Sequence, residues 1–238
     1  MHTPNQSRMS ELMESLLPVL SKGLEDLGLE LPPHARRQLV EYVALISRWN
    51  RVYNLTAVRD PADMLSQHLL DSLVVLPALG RHLRSKVSTA DVEAQEFRLI
   101  DVGSGAGLPG VVLSIAEPRW SIACVDAVAK KASFIRQVAA ELGLPNLQAT
   151  HARVEDVSPL PGFDVVTSRA FASLKDFVSL TSHLLNPGGC WMAMKGKVPE
   201  DELAALPPDV EVFHVEQLKV PGLDAQRCLV WMRKGATA

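Results

Sequence analysis

The chain has 238 residues, 47% of them hydrophobic, with a formal net charge of −3. This length and composition exclude disorder over most of the chain and allow one large core, or one domain with an appendage. The small negative charge argues against a protein that grips a polyanion with its whole surface, and no apolar run approaches the roughly 20 residues of a membrane helix.

In chain order, residues 1–9 read as a disordered tail and residues 10–80 as a helical cap. The polar start from Met1 to Met9, followed by Glu11 and Glu14, lacks the pattern of a secretory signal, so a cytoplasmic setting is expected. Cap helices are predicted over Glu11–Gly28, then Pro33–Tyr53 with Leu39, Val43, Ile46 and Trp49 at helical spacing, then Pro61–Leu79 with Met64, Leu65, His68, Leu69 and Leu76. The polar stretch 81–96 reads as a linker, and residues 97–238 as an α/β core.

The core opens with Phe97-Arg-Leu-Ile-Asp-Val-Gly-Ser-Gly-Ala-Gly-Leu-Pro-Gly110, an apolar strand that breaks into a glycine loop. Gly103, Gly105 and Gly107 permit positive φ and close approach to a ligand, and Pro109 suits the first position of a helix carrying Val111, Val112, Leu113 and Ile115. The run Gly105–Gly110 also satisfies the GxGxxG pattern of dinucleotide-binding enzymes, so a dehydrogenase reading competes here. Trp120–Val125 reads as a second strand, ending at Asp126, a carboxylate placed to accept two ribose hydroxyls. Phe134, Ile135, Val138 and Leu142 then share one helix face, and Gly143 suits its C-terminal cap.

Further strands are predicted near Leu147–His151, Phe163–Ser168, Cys190–Lys195, Val210–Val220 and Arg227–Arg233, with helices near Lys175–Leu185 and Glu200–Ala205. Pro221–Asp224 is too short for a parallel crossover, so the last two strands form an antiparallel hairpin. Little chain then remains for the separate substrate domain of a dehydrogenase. Cys124, Cys190 and Cys228 stand alone, without a CxxC pair, and read as buried free thiols; no metal site is expected.

Four motifs in order carry a family resemblance: Arg48-Trp-Asn-Arg-Val-Tyr-Asn-Leu-Thr56, His68-Leu-Leu-Asp-Ser72, Gly103-Ser-Gly-Ala-Gly-Leu-Pro-Gly110 and Ser168-Arg-Ala-Phe-Ala172. Together they resemble the ribosomal RNA small subunit methyltransferase G family, also called glucose-inhibited division protein B, over residues about 36 to 234. The resemblance implies a Rossmann-like S-adenosylmethionine-dependent methyltransferase fold, a mostly parallel seven-stranded sheet ending in an antiparallel hairpin, with an N-terminal helical cap. It implies S-adenosyl-L-methionine as cofactor and N7 of a guanine in bacterial 16S ribosomal RNA, free or in the small subunit, as target, with neither DNA nor membrane as partner. Rivals are a methyltransferase acting on a small molecule or protein, and a ribosome-assembly module that only binds the cofactor.

The resemblance implies cofactor contacts at Gly103 and Leu108 in the glycine loop, Val154 and Glu155 after the third strand, and Arg169 after the fourth; the loop pattern adds Gly105 and Gly107, and the strand end adds Asp126 for the ribose. Asp101 stands either at the cofactor amino group or as a loop-capping carboxylate. Arg169 is a positioning residue for the cofactor carboxylate or an RNA phosphate, against the alternative of a structural ion pair. His68 and Asp71, three apart on one helix, either orient the guanine or link cap to core. Asn54 and Lys195 are candidate RNA contacts. Phe171 either stacks on the base or, the better reading, packs in the core.

Charge supports RNA only locally: Arg36, Arg37, Arg48, Arg51, Arg59, Lys130, Lys131, Lys195 and Lys197 fall in segments expected to border one cleft. No general base is expected, since guanine N7 already holds an in-plane lone pair. No Asn/Asp-Pro-Pro-Tyr/Phe motif of amine-modifying enzymes stands at the fourth strand, where Ser168-Arg169-Ala170-Phe171 is found.

Overall fold

The computed structural model of the protein describes residues 4–86, 96–169, 171 and 173–235. Helices α1 (Pro4–Asp26) and α2 (Pro33–Tyr53) open the chain, followed by α3 (Pro61–Met64). Next come a π-helical turn (Leu65–Leu70), α4 (Asp71–Leu73) and α5 (Leu76–Arg84). The core then alternates β1 (Arg98–Val102), α6 (Gly110–Ala116), β2 (Ser121–Asp126), α7 (Ala129–Leu142), β3 (Leu147–His151) and a one-turn helix, Val154–Asp156. It ends with β4 (Phe163–Ser168), α8 (Leu174–Thr181), β5 (Leu185–Lys195), α9 (Glu200–Ala204), β6 (Val210–Leu218) and β7 (Arg227–Lys234).

The seven strands form one sheet in the order β3-β2-β1-β4-β5-β7-β6. The first five pair in parallel, Leu99 lying between Ile122 and Val165. β7 returns antiparallel between β5 and β6, with Ala193 opposite Val230 and Val230 opposite Val215. This is the expected sheet with its terminal hairpin. The chain moves outward from β1 to β3, then crosses back to β4, so the switch in direction falls between β1 and β4, where open α/β sheets bind ligands.

Alternation along the strands sorts their side chains to two faces. Leu99, Ile122, Cys124, Val165, Met192 and Trp231 pack with the cap helices, α6 and α7. Ile100, Val125, Val166, Trp191, Val230 and Met232 pack on the opposite face with Leu174, Phe177 and Val178 of α8. The buried residues of the cap are therefore continuous with one face of the sheet, through Leu39, Tyr42 and Ile46 of α2 and Phe134 and Val138 of α7. Trp191 keeps its buried indole N–H satisfied on Thr181 Oγ1, at 2.8 Å.

Several expected boundaries shift. Helix α1 begins at Pro4, so the expected disordered tail overlaps its first turns; proline fits a helix start, and no breaker stands between it and Ser10. Pro109 precedes α6 as its N-cap instead of occupying its first turn. The single helix expected over Pro61–Leu79 is interrupted by the π-helical turn and again at Val74–Val75, ahead of Pro77, which has no N–H to offer a continuing helix. Helix α5 runs on to Arg84, taking the first residues of the expected linker, whose residues 87–95 lie outside the described ones. Helix α2 matches its predicted span and stops at Asn54, held left-handed at φ 48°.

Candidate functional site

The glycine loop runs from the end of β1 to α6. Gly107, at φ 92°, is packed so closely that a Cβ would lie 2.4 Å from Val111 Cγ2. Gly103, at φ 69°, has no heavy atom within 4 Å of an added Cβ, so this side of the loop faces open space. The cap fixes the loop from behind, where the buried Tyr42 of α2 donates its hydroxyl to the Ala106 carbonyl at 2.5 Å.

The backbone N–H groups of this loop point inward. Gly103 and Ser104 donate to the Val125 carbonyl, Gly107 and Leu108 to the Ser104 carbonyl, and Gly105 to Asp126 Oδ2 at 2.9 Å. At the start of α6, the Gly110 N–H donates to Asp101 Oδ2 at 3.0 Å. A pyrophosphate needs outward N–H groups and a free helix N-terminus; here a carboxylate occupies that terminus. The geometry disfavours the dinucleotide reading and suits a ligand that brings a cationic group and hydroxyls to two carboxylates.

Asp101 is 1% exposed, and its Oδ1 has no partner. Burial raises its pKa to about 7, offset in part by the Gly110 N–H and by Arg169. A buried, half-satisfied carboxylate is costly unless something completes it. Asp126 is better served: its oxygens accept from Gly105 and from the Val128 N–H at 2.8 Å, with Lys131 Nζ 3.8 Å away. These bonds leave further lone pairs on the carboxylate. Beside it, Val154 is buried and Glu155 exposed in the one-turn helix after β3.

A second cavity of about 240 Å³ opens at the C-terminal ends of β4 and β5, bordered by His68, Asp71, Arg169, Lys195 and Arg227. Asp71, its side chain 2% exposed, sits between two guanidiniums: Arg169 Nη1 lies 3.2 Å from Oδ2 and Arg227 Nε 2.6 Å from Oδ1. Arg169 also donates to the Gln67 carbonyl at 3.1 Å, a carbonyl within the π-helical turn. Asp71 thus links cap to core and Arg169 is ion-paired to it. Arg227 had no motif to mark it; its position at the start of a strand beside β5 was the one available signal.

His68 Nε2 is 2.9 Å from Thr56 Oγ1, its Nδ1 is buried without a partner, and burial lowers its pKa. Lys195 borders the cavity but is paired to Glu202, with Oε2 at 2.8 Å. Asn54 is exposed and does not line the cavity; its Oδ1 accepts from Arg59 at 3.0 Å. Phe171 packs on Phe177 at 5.4 Å between ring centroids, as a core residue does. The basic residues do not border one cleft: Arg48, Arg51 and Arg59 line a groove on the cap, whereas Lys195 lines the cavity at the sheet edge.

Among the described residues, the buried side-chain nitrogen and oxygen atoms without a partner are His68 Nδ1, Ser72 Oγ, Asp101 Oδ1 and Ser168 Oγ. Asp101 and Ser168 lie at the C-terminal ends of β1 and β4, the strands on either side of the switch point, and His68 borders the adjoining cavity.

The family model for rRNA small subunit methyltransferase G, GidB, matches residues 35–230. The chain belongs to this family. It is 59% identical to the ribosomal RNA small subunit methyltransferase G of Methylibium petroleiphilum over 217 residues, covering 91% of this chain and 94% of that one. It is 58% identical to the protein of the same name from Polaromonas sp. strain JS666, covering 92% and 94%. Among solved structures, the cyclase SpnF shares the fold with a TM-score of 0.50 at 14% identity, over 60% of this chain and 76% of that one. This member of the GidB family is a methyltransferase, with its sheet built as the sequence led one to expect and a cap joined to one face.

Proposed function

We propose that this GidB-family protein transfers a methyl group from S-adenosyl-L-methionine to N7 of a specific guanine in bacterial 16S ribosomal RNA, acting in the cytoplasm on the RNA or the small subunit. The observation that carries the reading is the adjacency, across the β1/β4 switch, of a carboxylate-flanked glycine loop and a cavity walled by Arg169, Asp71 and Arg227.

The residues present fit the cofactor. Asp101, whose buried Oδ1 has no protein partner, would take the cofactor amino group, and the glycine loop at Gly103, Gly105, Gly107 and Leu108, open at Gly103, would receive the methionine part. Asp126 offers its remaining lone pairs to ribose hydroxyls. Val154 would pack on the adenine, with Glu155 near its polar edge. When bound, the cofactor supplies an electrophilic methyl group on a sulfonium.

The protein's part is alignment. Guanine N7 attacks without losing a proton, so no side chain has to act as base, and rate enhancement rests on proximity and on a dry, oriented site. Arg169 is held at the end of β4 by Asp71 and the Gln67 carbonyl, which fixes a guanidinium at the junction of loop and cavity. Burial lowers the pKa of His68, which favours the neutral imidazole, and its buried Nδ1, unpaired in the protein, would face the base once the guanine is bound. Lys195, tied to Glu202, borders the side toward RNA, and Asn54 lies on the rim of the cap.

Methyl transfer to 16S ribosomal RNA, to small subunits and to a protein fraction tests the reading. Labelling confined to RNA, at N7 of one guanine, agrees with it; labelling of protein or of no macromolecule despite cofactor binding contradicts it.

A further inference from the structure

His68 stands in the π-helical turn, in a side chain that lines the sheet-edge cavity, and only one of its ring nitrogens is used. Nε2 lies 2.9 Å from Thr56 Oγ1, while Nδ1 is buried without a partner. The neighbouring Gln67 carbonyl, which partly offsets the effect of burial on the ring, accepts Arg169 at 3.1 Å.

The bonds around Thr56 decide which nitrogen holds the proton. Asn50, 2% exposed, donates to the Val58 carbonyl at 3.2 Å and accepts the Thr56 N–H at 3.0 Å, which pins the loop between them. Within that loop the Val58 N–H donates to Thr56 Oγ1 at 3.2 Å. A hydroxyl has one proton to give, and among the described residues His68 Nε2 is the acceptor in its reach. Nε2 therefore accepts, and in the neutral imidazole Nδ1 carries the proton. The opposite tautomer would leave the Thr56 hydroxyl proton without a protein acceptor.

The charged groups on the cavity wall are already paired. Arg169 and Arg227 occupy the two oxygens of Asp71, and Lys195 is bound to Glu202. Nδ1–H is a neutral donor beside them, and a buried donor without an acceptor is costly. Guanine has two acceptors on the edge that contains N7, namely N7 and O6, whereas adenine carries an N6 amino donor where guanine has O6. N7 has to stay free to attack the methyl group, so a donor that reads this edge is left with O6.

We propose that His68 selects the target base, its Nδ1–H donating to O6 of the guanine, which leaves N7 free for the methyl group and turns away adenine. The proposal rests on the guanine-N7 reading above and names what enforces it within the site. With adenine, two N–H groups would face each other and neither would find an acceptor. A neutral donor suits the place, because positive charge develops on the purine as N7 is methylated and an imidazolium would oppose it.

The test sets the full-length wild type against His68→Ala, His68→Asn and His68→Gln. The substrate is 16S ribosomal RNA, as RNA and reconstituted into small subunits, carrying at the mapped methylation position either guanine or 2-aminopurine, which keeps N7 and lacks O6. The wild type is expected to favour guanine by about 30-fold in kcat/KM, and His68→Ala to narrow that ratio at least about 10-fold by slowing the guanine reaction, with cofactor affinity unchanged. His68→Asn, whose amide nitrogen can stand where Nδ1 stood, is expected to restore part of the preference; His68→Gln, which keeps only the reach to Thr56, is not. Both substrates slowed alike, with the ratio unchanged, marks a structural link between cap and core and overturns the proposal. Equal wild-type rates on the two bases overturn it without any variant. A wild type that labels no guanine in either form of the RNA overturns the N7 reading itself, and this proposal with it.

Discussion

Arg227 Nε lies 2.6 Å from Asp71 Oδ1, joining residues 156 positions apart in the chain. The bond ties the first residue of α4, just after the π-helical turn of the cap, to the first residue of β7, and the second oxygen of the same carboxylate takes Arg169, which follows β4. Three elements therefore converge on one buried carboxylate at the wall of the cavity. With two cations and one anion, the group is net positive, which suits an RNA-facing site.

Asp71→Ala is expected to be costly because it leaves two guanidiniums facing each other without their common partner. Removing one member of a fully buried pair costs about 3–5 kcal/mol; since both arginines keep 27% of their side-chain exposure, about 2 kcal/mol is the expected loss here. Urea unfolding reads it directly, and a midpoint equal to that of the wild type would contradict the linking role. Arg227→Gln is expected to lower methyl transfer by loosening Arg169, with smaller loss of stability.

Tyr42→Phe tests how the cap supports the loop. The substitution keeps the ring against Phe134 and removes only the donor to Ala106, leaving a buried carbonyl short of a partner. A loss of about 1–3 kcal/mol in stability is expected, together with weaker cofactor affinity in calorimetry. An unchanged affinity would mean that the loop holds its shape without α2.

Asp101 gives a pH signature whose sign is fixed by its raised pKa. Between the ordinary carboxylate value of 3.8 and about 7 the folded protein holds a proton that the unfolded chain has released. Stability contributed by this group is therefore fully present below about 4 and declines as pH rises to about 7. Asp101→Asn is expected to flatten that part of the stability profile. If the carboxylate receives the cofactor amino group, binding at pH 6 releases a proton, seen as a dependence of the calorimetric enthalpy on buffer ionisation. Release that persists in Asp101→Asn would assign it elsewhere.

Much of this was legible in the sequence for specific physical reasons. The spacing of Leu39, Val43 and Ile46 between Pro33 and Asn54 defines α2, since helical periodicity and both end signals agree. The glycine loop and Asp126 were legible because few residue types serve a turn of positive φ, and the carboxylate stands where the next strand ends. The interruption of the helix after Pro61 was not, as a π-helical turn has no compositional mark. Arg227 was hidden for a different reason: its role arises from pairing between β7 and β5, which brings distant segments together and leaves no local pattern. The inward direction of the loop amides likewise depends on Val125 and Asp126 in the neighbouring strand.

Gly110→Ala probes the packing beneath the loop. An added Cβ would stand 2.4 Å from Cys124 Sγ and 3.0 Å from Asp101 Oδ2. Overpacking of this kind costs roughly 1–3 kcal/mol. Cys124→Ala in the same chain is expected to restore part of it, because the nearer clash is with the thiol, and the thermal midpoints of the single and double variants measure this. No recovery in the double variant would place the strain on Asp101.

The central claim is tested most directly by incubating the protein with methyl-labelled S-adenosyl-L-methionine and unmethylated 16S ribosomal RNA or small subunits, then mapping the label by chemistry specific for N7-methylguanosine. The account expects incorporation at N7 of one guanine, abolished or much reduced in Arg169→Ala while the variant stays folded. Cofactor binding with no label in RNA, or label spread over other atoms or other macromolecules, would contradict it.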